Sequence, residues 1–153
     1  MIPHPPAPSD AAPAVLVVGT DDWAVEQVAS SLSGSGYRAL TCHPPGQPAF
    51  PCNALVAGRT CPLDVGFDVV VTVRARPVEQ PTVGEMGVTC GLRAGAGLVV
   101  AGMGGRNPFL DRMSRKVSPG DSLAEVVADV AAEVAAEAAE RLATRLAGTA
   151  APS

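Results

Sequence analysis

The sequence predicts a three-layer α/β domain in which helices flank a short parallel sheet of four or five strands and a long helix ends the fold. Three observations predict it. Compact β-branched runs alternate with segments of helical spacing, the pattern of βαβ units. Apolar residues make up 47% of the 153 residues, enough for one core, while aromatics are 3%, so that core is built from Val, Leu and Ala. A continuous apolar stripe runs from Leu123 to Leu146 through Val127, Val130, Val134, Ala138 and Leu142.

The elements follow in order. Val15–Val18, closed by Gly19, is a buried parallel strand. From Asp21 to Ser33 the apolar residues Trp23, Val25, Val28, Ala29 and Leu32 keep helical spacing. Thr20 or Asp21 can cap that helix, Asp21 and Asp22 suit its positive end, and Gly34 and Gly36 stop it. Arg38–Cys42 is the second strand. Residues 43–66 carry Pro44, Pro45, Pro48, Pro51 and Pro62, so they read as a long loop with at most one short turn. Phe67–Val73 is the strongest strand, and a helix over Thr82–Ala94 follows it, weakened by Gly84, Gly87 and Gly91. Leu98–Met103 is the fourth strand, and 104–117 has room for a short edge strand. Asp121 and Ser122 open the last helix, Ser122 and Glu125 match a capping box, and Gly148 ends it. The Pro-rich residues 1–13 and the residues 148–153 read as tails around one domain spanning 14–147.

Composition excludes several functions. The net charge is −4 and Lys116 is the one lysine, so no clustered basic surface for nucleic acid is present. Few aromatics also leave few platforms for stacked bases. No stretch approaches the roughly 18–20 apolar residues of a membrane helix. No targeting pattern stands out, and a cytoplasmic location is expected, where four disulfide-paired cysteines would be unusual.

In a parallel sheet of this kind ligands bind at the carboxyl ends of the strands, which singles out residues 19–22, 42–43, 72–76 and 102–106. The segments there resemble the receiver domain of bacterial response regulators, a flavodoxin-like fold. VLVVGTDDWAV is similar to that family's opening strand and acidic cluster. FDVVVTVRARP is similar to its third strand, which ends in the phosphoryl-accepting Asp. KVSPGDSLAEVV is similar to its closing Lys and final helix. The likeness spans about residues 14–147 and implies a ligand or switch edge at Thr20, Asp21, Asp22, Thr72, Arg106 and Lys116. The departures decide the functional expectation. Thr72 stands at the acceptor position and cannot form an acyl phosphate. Gly19 and Thr20 stand where the acidic cluster should begin, and the carboxylates that would hold Mg²⁺ are displaced to Asp21 and Asp22. Gly102 replaces the switch hydroxyl, and Val117 replaces the Pro after Lys116. The resemblance thus implies a degenerate receiver-like domain, regulatory or interacting, without phosphorylation and without catalysis.

The alternative rests on Cys42, Cys52, Cys61 and Cys90, with His43 beside the first. Thiolates and imidazole suit zinc, and four thiolates suit an iron–sulfur cluster, although no pair has the C-x-x-C spacing. Cys42, Cys52 and Cys61 are expected at one edge of the sheet. Cys90 lies in the third helix, which can point it towards the core. Free thiols and a regulatory disulfide remain open beside the metal. No complete phosphate-binding loop, catalytic triad or carboxylate pair is present. The last helix, about 26 residues or on the order of 39 Å long, exceeds what a small sheet can cover, so its far end is expected to meet another copy of the chain or a protein partner.

Overall fold

The computed structural model describes residues 12–44, 46–48, 52–56, 58–76, 80, 82–102, 114–118 and 120–149. Five strands form one sheet: β1 (Ala14–Gly19), β2 (Arg38–Leu40), β3 (Val69–Arg74), β4 (Gly97–Gly102) and β5 (Ser114–Lys116). Their order is β2-β1-β3-β4-β5 and every pairing is parallel, the flavodoxin-like arrangement the sequence predicts. The expected edge strand exists and is three residues long. The helices are α1 (Asp22–Gly34), α2 (Pro62–Val65), α3 (Gly87–Arg93) and α4 (Leu123–Thr149).

The alternation of side chains along each strand divides the core in two. Val15, Val17, Val69, Val71, Val73 and Val99 face α1 and α4, where Ala24, Leu32, Val127 and Val130 meet them. Leu16, Val18, Val70, Leu98 and Val100 face the other side, where Val88 of α3 and Phe67 cover them. The second layer is thinner for a reason visible in the sequence. The crossover from β2 to β3 holds the proline run, and among its described residues one 3₁₀ turn (Asn53–Leu55) and the single turn of α2 form.

The third expected helix splits into a 3₁₀ turn at Val83–Glu85 and the seven-residue α3. The glycines read as weak points are its packing face. A Cβ on Gly87 would lie 2.8 Å from Val18 Cγ1, and one on Gly91 would lie 2.1 Å from Val70 Cγ2. Their lost helix propensity is offset by letting the backbone lie directly on the valine layer.

The long helix α4 is buried at Val127 and Val130, and Tyr37 Oη donates to the Ala124 carbonyl oxygen at 3.1 Å. Arg115 on β5 pairs with Glu133. From Ala135 to Gly148 every residue is exposed, so the helix overhangs the sheet by roughly 21 Å. Leu142 is 58% exposed. The described part of α4 is polar enough, and the other helices short enough, that no described helix is long and apolar enough to cross a membrane.

The packing of α3 gives a direct test. Gly91→Ala is expected to lower unfolding free energy in urea by about 1–3 kcal/mol, because the valine beneath has no room to move away. Gly34→Ala, at a position with nothing within 4 Å of the added carbon, is expected to leave stability nearly unchanged.

Candidate functional site

The carboxyl ends of β1, β3 and β4 meet at one place, as the parallel order requires. At its centre is a network that starts from a capping box. Thr82 precedes the 3₁₀ turn and Glu85 is its third residue, so the Glu85 carboxylate turns back to the Thr82 amide. That turn aims it over the end of β3. Glu85 Oε1 accepts from Thr82 N at 3.2 Å, Thr82 Oγ1 at 3.3 Å and Arg74 Nη2 at 3.4 Å. Glu85 Oε2 accepts from Thr72 Oγ1 at 2.5 Å and Arg74 Nε at 3.1 Å. Arg74 and Glu85 are each 2% exposed, and Thr72 is fully buried. The charge of one side chain is thus met by the other, with hydroxyls and an amide taking the remaining lone pairs, the condition under which a buried ion pair is tolerated.

Backbone closes over this network from both sides. A Cβ on Gly84 would fall 2.4 Å from the Gly19 carbonyl oxygen, and one on Gly19 would fall 2.6 Å from that of Val73. Gly102 has φ +85°, and its Cβ would meet the Arg74 carbonyl oxygen at 2.3 Å. No side chain fits where Gly102 approaches Arg74.

The remaining positions singled out from sequence are placed as follows. Asp21 occupies the N-cap of α1, but its side chain makes no cap hydrogen bond. It accepts from Thr20 Oγ1 at 2.9 Å and pairs with Arg76 Nε at 3.5 Å, which corrects the capping role expected for it. Thr20 Oγ1 accepts from the Ala75 amide at 3.2 Å, so Thr20 and Asp21 fasten the strand ends together. Asp22 Oδ1 lies 3.3 Å from His43 Nε2, and its Oδ2 accepts from the Gly46 amide. Lys116 is in the row of Val18, Thr72 and Val100, two strands from Thr72 or roughly 10 Å across the sheet. Arg106 lies outside the described residues.

A cleft of about 370 Å³ opens beside the network, on the thinner face of the sheet. It occupies the place left by the shortened α2. Cys42, Cys52, Cys61 and Cys90 all line it, as does His43. Cys90 is exposed on the cleft wall, where the sequence reading had allowed it to turn towards the core. All four are free thiols, with Cys42 and Cys61 half-buried and Cys52 exposed. Burial, with the neighbouring Cys52, Cys90 and Cys61, pushes the Cys42 thiol up to about 11. It is an uncharged wall group at neutral pH, 2.9 Å from where a Cβ on Gly87 would be. Among the described residues no three His, Cys, Asp or Glu side chains are grouped closely enough to hold a metal ion. As placed, the four thiols share a cavity without forming a closed ligand set.

Comparison with models of known protein families, with curated proteins and with solved structures finds no match to this chain. Its function is therefore argued from the geometry.

Two outcomes test the site. Glu85→Gln is expected to destabilise the domain by about 3–5 kcal/mol in chemical denaturation, because Arg74 keeps a buried charge without its counterion. In native protein at pH 8, mass spectrometry after iodoacetamide pulses is expected to find Cys42 alkylated last. Its rate should rise about tenfold per pH unit until the thiol titrates near 11.

Proposed function

We propose that this chain is a non-catalytic regulatory or protein-interaction domain, receiver-like in build and independent of phosphorylation. One observation carries the reading: the acceptor position, Thr72, is buried and its hydroxyl is committed to Glu85, which is itself saturated by Arg74 and Thr82. A phosphoryl group would need a carboxylate there to receive it and Mg²⁺ to neutralise it. Glu85 and Arg74 fill that space with a pair already neutral as a whole. Asp21 and Asp22, the nearest candidates for the metal, are engaged by Arg76 and His43. The shared row of Thr72 and Lys116 supports the kinship with receivers, and the network accounts for the loss of their chemistry. A cytoplasmic setting suits the four free thiols.

The overhanging half of α4 is the surface proposed for a second copy of the chain or another protein. It exposes Leu142 on an alanine-rich helix with no described part of the domain over it. Burying one such leucine contributes roughly 1.5–3 kcal/mol. A dimer is expected in sedimentation at tens of micromolar, and Leu142→Glu is expected to convert it to monomer without loss of helical signal. A monomeric wild type would remove this part of the proposal.

A cysteine-based zinc or iron–sulfur site with a redox or sensing role is the second reading, favoured by the convergence of four thiols on one cleft. It requires them to draw closer together than they stand. Protein purified without oxygen that carries stoichiometric zinc, or is brown, would favour it over the first reading.

The first reading is tested with acetyl phosphate and Mg²⁺. Intact mass is expected to stay unchanged, for the wild type and equally for Thr72→Asp, whose added carboxylate would crowd Glu85. Acid-labile phosphate on the wild type would overturn the reading.

A further inference from the structure

The cleft beside the network has a chemistry of its own that the proposed function does not use. We infer that it binds a small amphiphilic monoanion, an apolar body carrying a single carboxylate, with the body over Leu16, Phe67 and Met86 and the carboxylate at Arg93. Its volume of about 370 Å³ falls in the range of small-molecule pockets, and at about 30 Å³ per non-hydrogen atom it holds on the order of a dozen such atoms.

The wall supplies the apolar half of the match. Leu16, Phe67 and Pro62 form its floor, and Leu55, Leu63, Val83 and Met86 form a rim that is exposed in the isolated chain, Leu55 by 75%. Half of the exposed large apolar side chains among the described residues surround this one opening. That apolar area leaves water when a hydrocarbon body enters. The half-buried Cys42 adds to the same surface, since its thiol is uncharged at neutral pH.

Charge selects the head group. The chain carries 15 Asp and Glu against 11 Lys and Arg, yet among the described residues no Asp or Glu lines the cleft. Arg93, at the end of α3, is its lining cation, and none of the ion pairs among the described residues uses it. The other titratable base, His43, is turned to Asp22. Among the described lining residues a carboxylate at the mouth therefore meets one guanidinium and no acid, whereas a cationic head group is repelled by that guanidinium. Arg93 is exposed, so substituting it leaves the fold intact.

Decanoate, which matches the cleft in size, is the probe, with decyltrimethylammonium as the cationic control of equal chain length. Calorimetry on the full chain is expected to give saturable one-to-one binding of decanoate, and at least roughly tenfold weaker binding of the control. Arg93→Glu is expected to weaken decanoate by a similar factor and to leave circular dichroism unchanged. Saturating decanoate should also slow maleimide labelling of Cys52 and Cys90, which flank the opening, in the wild type. Equal affinity for the two head groups, an Arg93→Glu variant that binds decanoate as the wild type does, or no binding up to about 1 mM would each overturn the inference. None of these outcomes bears on phosphoryl transfer, so the two proposals fail separately.

Discussion

The burial of one carboxylate governs this molecule. Glu85 could not sit at 2% exposure without a counterion, and the Arg74 guanidinium at the end of β3 supplies it. From that pairing much else follows. The capping box at Thr82 must form, because it aims the carboxylate. The 3₁₀ turn must lie against the end of β1, which brings Gly84 onto the Gly19 carbonyl and excludes a side chain at Gly84. Gly102 must adopt φ +85° to pass Arg74. At the end of β3, where an open α/β sheet ordinarily receives a ligand, the space is taken by the protein's own Arg74 and Glu85.

Closure at the edge and opening beside it have a common origin in the two connections that flank β3. The connection after β3 spends its polar residues on the network and its glycines on contact with the sheet. The connection before β3 is rich in proline and makes one helical turn where a full helix would cover Leu16 and Phe67. The uncovered strip becomes the cysteine-lined cleft. Its thiols lie on both of these segments, Cys42, Cys52 and Cys61 on one and Cys90 on α3, which is why residues so distant in sequence share one cavity.

The sheet was legible because its signal is local. Runs such as Val15–Val18 and Val69–Val71 are apolar at every position, as burial on both faces demands, and the helix from Leu123 declares itself by period. The division of the third helix was not legible, because Gly84, Gly87 and Gly91 lower helix propensity while serving contacts, with the Gly19 carbonyl, Val18 and Val70 respectively, that only the tertiary structure reveals. At the site, Thr72 was recognisable by its place near the end of the strongest strand. Its partner was not: Thr82 and Glu85 have capping-box spacing, a local signal open to inspection, but the ion pair with Arg74 depends on a turn eleven residues away folding over the strand. Asp21 shows the converse error. A good N-cap residue by type, it is drawn off by Thr20 and Arg76. The resemblance to receivers pointed to a flavodoxin-like parallel sheet, but the strand order and the row that joins Thr72 to Lys116 emerged only with the structure, and the ion pair between Arg74 and Glu85 had no counterpart in the pattern.

A strand edge occupied by the Arg74–Glu85 pair should not respond to a phosphoryl group. Amide NMR during titration with Mg²⁺ and beryllofluoride, a mimic of that group, reads this out. The amides of Gly19, Thr72, Gly84, Glu85 and Gly102 are expected to keep their chemical shifts throughout. Saturable shifts concentrated on those residues would contradict this.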